Sequence, residues 1–134
     1  MKSNASMPSS AVIPQLPYAS VTEAAAWLER VFGFSSRLAI GEHRIQMNAS
    51  EGHVVLTRVG GPASRSSVMV RVVDVDAHHA RAVAEGAQVI GAPQTFPYGE
   101  RQYTAIDCGG HAWTFSQSVD DVPPESWGGT PGRL

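Results

Sequence analysis

Residues 51–57 read EGHVVLT, and residues 109–115 read GGHAWTF. Each places a histidine directly after a glycine turn and then an apolar run of strand length. Working outward, GEHRIQM at 41–47 faces GERQYTA at 99–105, and SVTEAAAWL at 20–28 faces DVDAHHARA at 74–82. The three echoes come in the same order, about 55 residues apart, which reads as an internal duplication.

The periodicity inside each copy gives the repeating unit. Residues 11–18 alternate loosely and suit a strand, with Pro14 and Pro17 implying an edge or a bulge. Ser20 and Glu23 form a capping-box pair, apolar residues follow at helical spacing through Phe32, and Gly33 supplies a left-handed stop. Strands are expected at 36–40, 44–48 and 53–59, then a linker at 60–67. The second copy predicts a strand at 68–73, a helix capped by Asp74 or Asp76 and ended by Gly86, and strands at 88–91, 101–107 and 111–118. The expected fold class is α+β, with two βαβββ modules (residues 11–59 and 68–118) making an incomplete eight-stranded barrel. Residues 1–10 are small and polar and read as a flexible leader. Residues 119–134 read as a docked or flexible tail in which Trp127 is the anchor.

Bulk properties narrow the function classes. The 134 residues suit one domain. A net charge of −2 without a basic stripe gives no reason to expect nucleic acid or an anionic membrane as partner. No stretch has the length and apolarity of a membrane span, and no apolar run of signal-peptide length follows Lys2. The single cysteine, Cys108, precludes a disulfide within the chain, so the expected compartment is the reducing cytoplasm.

Three motifs in this order carry a family resemblance: the Phe32-Gly33-Phe34 triplet closing the first helix, VVDVDAHHARAVAEGAQVIG at 72–91, and AIDCGGHAWTFSQS at 105–118. Across residues 11–129 the chain resembles the vicinal oxygen chelate superfamily, which includes glyoxalases, bleomycin resistance proteins and extradiol dioxygenases. The PESWGG ending at 124–129 resembles a metal-poor, glyoxalase-like branch. The resemblance implies a cleft between curved modules and a homodimer. Metal-dependent relatives hold one divalent ion with four side chains, one on the first and one on the last strand of each module. Those positions map here to Ile13, Val55 or Leu56, Val68 and Thr114. Aliphatic side chains have no lone pair to donate, and a threonine hydroxyl is a poor ligand for transition metals. No metal and no other cofactor is therefore expected.

The remaining chemistry-bearing residues divide by position. Adjacent His78 and His79 point about 100° apart on a helix and read as a solvated face. His43 reads as a surface loop. Cys108 reads as an incidental turn residue. His53 and His111, equivalent in the repeat, suggest a shared structural hydrogen bond, with pocket lining as the alternative. Arg101 and Tyr103 fall on one face of their strand, and Glu100 and Gln102 on the other. Together with Tyr98, the first pair is suited to hold a planar or anionic ligand. Trp113 and Phe115 share a face and suit a core or dimer contact, with ligand stacking as the alternative. The candidate ligand-binding residues are thus His53, Tyr98, Arg101, Tyr103 and Trp113. The expected function is metal-free binding or sequestration of a small molecule in a dimer cleft. The alternative is an enzyme of the same superfamily (a lyase, isomerase, hydrolase or dioxygenase type), and an accessory role through the dimer surface is the third reading.

Overall fold

The computed structural model describes residues 4–60 and 64–132; the middle of the expected linker, residues 61–63, lies outside them, as do residues 1–3 and 133–134. The first module runs β1 (Gln15–Tyr18), α1 (Val21–Phe32), β2 (Ser35–Ile40), β3 (Arg44–Ala49) and β4 (Gly52–Arg58). The second runs β5 (Ser67–Arg71), α2 (Val75–Ala84), β6 (Gln88–Thr95), β7 (Glu100–Ile106) and β8 (Ala112–Ser118). Two βαβββ units are therefore present, each folded into its own four-stranded mixed sheet, ordered β1-β4-β3-β2 and β5-β8-β7-β6. In both, the first strand lies parallel to the last and the others are antiparallel.

Local chemistry sets these boundaries. The Ser20 side chain accepts from the Glu23 N–H at the start of α1, and Gly33, at φ 77°, ends it. Asp74 rather than Asp76 caps α2, accepting from the Ala77 N–H. β1 is shorter than the expected 11–18, because residues 11–14 run outside the ladder, although the Pro14 carbonyl accepts from the Val55 N–H. Pro17 has no N–H to give and is tolerated because β1 is an edge strand. β6 continues past the expected residue 91 to Thr95, through a bulge after Ile90 where Gly91 adopts φ 75°.

Packing between the modules is aromatic. Phe32 and Phe34, at the end of α1, meet Trp113 and Phe115 of β8 edge-on or tilted, with ring centroids 4.8–6.4 Å apart. The helices also meet end to end. Arg81 of α2 donates to the carbonyls of Glu29 and Arg30, covering the C-terminus of α1, and Arg30 pairs with Glu85 at 2.9 Å.

Candidate functional site

Strand alternation divides each sheet into a helix-facing side and an open side. In the first sheet Ile45, Met47, Val54 and Leu56 face the helix, so Gln46, Asn48, His53 and Val55 lie on the opposite face. In the second, Tyr103, Ala105, Trp113 and Phe115 face α2. Glu100, Gln102, Thr104, Thr114 and Ser116 therefore make the open face, bordered by Met69 and Arg71 of β5.

Where the sheets approach, a cleft of about 640 Å³ opens between the start of β4 and the outer edge of β5. Residues 68–73 contribute one wall; Ser10, Val12 and Pro14 contribute another. His53 lines it and its Nδ1 lies 2.5 Å from the Ser10 Oγ. Arg71 lines it and is hydrogen bonded to Ser118. Apolar rim residues are largely uncovered: Val12 is 80%, Met69 62% and Val73 91% exposed.

Beside the cleft, the open face of the second sheet carries a continuous polar network. Tyr98 donates to Gln102, Gln102 donates to Ser116, and Ser116 donates to the Glu100 carboxylate at 2.6 Å. Thr104 and Thr114 bond each other at 2.8 Å. Desolvation works against the Glu100 charge, but the Ser116 and Ser118 hydroxyls and the Arg71 charge outweigh it and hold the carboxyl below its ordinary value.

The structure separates the five residues singled out in the sequence. His53 alone lines the cleft. Tyr98 stacks on Phe96 with centroids 5.4 Å apart and meets Trp127 edge-on at 5.5 Å. Arg101 does share a face with Tyr103, but that face looks toward α2, where Arg101 clasps the Asp76 carboxylate at 2.9 Å. Tyr103 is buried, stacked on Phe115 and hydrogen bonded to His78. Trp113 is fully buried and donates from Nε1 to Asp107. Once Trp113 and Phe115 are assigned to the core, their even-numbered neighbours must face outward; that is the sequence signal for Thr114 and Ser116.

Two histidine readings change. His78 is not on a solvated face: its Nε2 contacts the Phe32 carbonyl at 3.0 Å, its Nδ1 the Tyr103 hydroxyl at 2.5 Å, and its ring packs on Phe115 at 3.9 Å. Val75, His78 and Ala82 stand at i, i+3 and i+7 and so share the inward stripe of α2. His53 and His111 have diverged. His111 is fully buried and bridges the modules, accepting from the Ser66 N–H at 2.9 Å and donating to the Pro17 carbonyl at 2.8 Å. Burial and the Asp107 charge push the Cys108 thiol up to about 11, away from nucleophilic use.

The family's metal positions do not fit a metal. Val55 is on the open face, Leu56 in the core, and Thr114 is occupied by Thr104. Among the described residues no three His, Cys, Asp or Glu side chains converge to hold an ion. No helix among the described residues is long and apolar enough to cross a membrane.

Comparison with known proteins agrees with this architecture. TioX from Micromonospora sp. ML1 is 33% identical, with a TM-score of 0.72 over 85% of this chain and 100% of its own. A bleomycin resistance determinant encoded on the transposon Tn5 has a TM-score of 0.69 at 19% identity, over 82% of this chain and 98% of its own. Lactoylglutathione lyase from Agrobacterium tumefaciens has 0.67 at 17%, over 84% and 96%. At those identities the last two show the fold alone. No curated protein matches by sequence. Residues 12–115 match the family profile, and the chain belongs to the glyoxalase/bleomycin resistance protein/dioxygenase superfamily.

Proposed function

We propose that this protein binds a small molecule without a metal, in a cleft completed by a second copy of the chain. The observation that carries the reading is the composition of the cleft. It has ligand-sized volume, an apolar rim and a few hydrogen-bonding groups, while the positions that bind metal in relatives carry aliphatic or hydroxyl side chains. The exposure of Val12, Met69 and Val73 around one opening favours burial against a partner subunit. Residues 11–118 form the binding domain in this reading, with 119–134 as a tail leaning on Tyr98 through Trp127. A single unpaired cysteine suits the reducing cytoplasm.

A thermal-shift screen of small molecules on the metal-free protein tests this. A ligand at 100 times its Kd stabilises the folded state by about 2.7 kcal/mol. His53→Ala and Arg71→Ala are each expected to weaken such ligands about tenfold. Ligands that stabilise both variants as well as the unmodified protein, or act only after metal is added, would refute the proposal.

The Ser10–His53 hydrogen bond favours a second reading, an enzyme of the superfamily using the imidazole as a base. A working base also needs an orienting group, and among the described residues the other nitrogen of His53 has no hydrogen-bond partner. Tyr103, whose hydroxyl could act as an acid, is buried on the opposite side of its sheet from Glu100.

A further inference from the structure

The open face of the first sheet is covered by the chain's own beginning. Gln46 and Val55 point away from α1, yet they are only 2% and 1% exposed. Pro8 is buried with them. Residues 4–10 form no strand, and what holds them to the sheet is a set of side-chain contacts. Arg37 donates to the Ala5 carbonyl at 2.8 Å, and Gln46 Nε2 donates to the next carbonyl, that of Ser6, at 2.7 Å. His53 contacts the Ser10 hydroxyl at 2.5 Å. Arg37 also donates to Gln46 Oε1 at 2.5 Å, fixing both donors relative to each other. Arg37 is the residue skipped by the register between Ser36 and Leu38, so a β-bulge turns its guanidinium onto this face. Neither ion pair among the described residues involves it.

Side-chain donors aimed at successive main-chain carbonyls are how a protein holds a peptide it does not pair with as a strand. Residues 4–10 (NASMPSS) carry no charge and no large side chain but Met7; the Arg37 and Gln46 contacts recognise backbone carbonyls, and His53 alone meets a side chain, the Ser10 hydroxyl. Withdrawing the segment would open the Gln46 amide to water, so a ligand that covers this face again must present an acceptor where the Ser6 carbonyl sits or leave a buried donor unpaired. Ser10 and Val12, at the end of this segment and just beyond it, are also a wall of the cleft.

We propose that Arg37, Gln46 and His53 form a binding site for uncharged, carbonyl-rich ligands of peptide type, and that residues 5–10 occupy it as an internal competitor. The proposal deepens the small-molecule reading by naming the ligand class and a site for it. A short tether gives the segment an effective concentration of order mM, so an outside ligand must outcompete it or bind after it is weakened.

The test uses the full chain carrying Pro8→Asp, which disfavours seating of the segment without altering the sheet. Anisotropy of a fluorescein-labelled peptide NASMPSSAV is measured on it and on the unmodified protein. The expected result is binding to the variant at least tenfold tighter than to the unmodified chain, abolished by adding Arg37→Ala. Ser10→Gly, which removes only the His53 contact, is expected to give a smaller gain and serves if Pro8→Asp does not fold. Folded variants that bind no peptide, or bind it regardless of Arg37, would overturn the proposal. Peptide binding together with a failed small-molecule screen would refute the broader reading and leave this site standing.

Discussion

Replacing Asp107 with alanine is expected to cost about 4 kcal/mol of stability and lower the Tm by roughly 15 °C. Asp107 is buried and its carboxylate gathers four donors. Oδ2 accepts from the Tyr18 hydroxyl at 2.5 Å and from Trp113 Nε1 at 2.9 Å. Oδ1 accepts from the backbone N–H groups of Gly109 and His111, each at 2.9 Å. Tyr18 belongs to the first module and Trp113 to the second, so the carboxylate is an inter-module clasp beside the His111 bridge. Burial, then the Asp107 charge, pushes the Tyr18 phenol well above its ordinary value, so it stays a donor throughout the physiological range. Alanine strands these donors, each buried one costing about 1–3 kcal/mol. Relief from burying a charge offsets part of that sum. Asparagine keeps one acceptor oxygen and is expected to lose about half as much. The turn packs directly on the clasp: a Cβ added at Gly109 would sit 2.7 Å from the Tyr18 ring. Urea denaturation at pH 7 measures the effect; a loss below about 1 kcal/mol for the alanine variant would show that water replaces the clasp.

Acidification is expected to remove about 3 kcal/mol through His78 alone. Burial pushes this imidazole from 6.5 down to about 4. The folded protein therefore keeps it neutral where the unfolded chain protonates it. The stabilisation is complete above pH 6.5, declines by about 1.4 kcal/mol for each pH unit between there and 4, and changes no further below that. The carboxyls of Asp76 and Glu100, both held below their ordinary values, release their share at lower pH. Denaturation midpoints at pH 7, 5.5 and 4.5 trace the slope. His78→Gln keeps a donor and an acceptor but does not titrate. It is expected to be about 1–2 kcal/mol less stable at pH 7 and nearly flat from pH 6.5 to 4.5. A slope unchanged by that substitution would place the titration elsewhere.

Signals confined to a few neighbouring residues are readable in the sequence. The Ser20–Glu23 cap and the Gly33 stop each act within one turn of chain and bound α1, and the Asp74 cap and duplicated Gly-His turns mark the same order of elements in the second copy. Facing is harder, because alternation sorts a strand into two sets without saying which one meets the helix. It groups Arg101 with Tyr103 correctly, but Asp76 and His78 of α2 decide where they look, and those contacts span 25 residues. The reading of His78 depends on which of two adjacent histidines shares the stripe of Val75 and Ala82, and the spacing i, i+3, i+7 selects His78. The seat of residues 4–10 rests on contacts with partners 32 to 43 residues away, invisible to local pattern. Their polar composition resembles that of an unattached leader.

Metal-free small-molecule binding by a two-copy assembly is tested most directly by native mass spectrometry of untagged protein, offered zinc, nickel, iron and manganese and compared with the denatured mass. The predicted result is a dimer without a metal adduct, with any extra mass lost on denaturation and assignable to an organic molecule. A dimer holding one metal ion per chain would contradict metal-free binding and make metal-assisted catalysis the leading explanation.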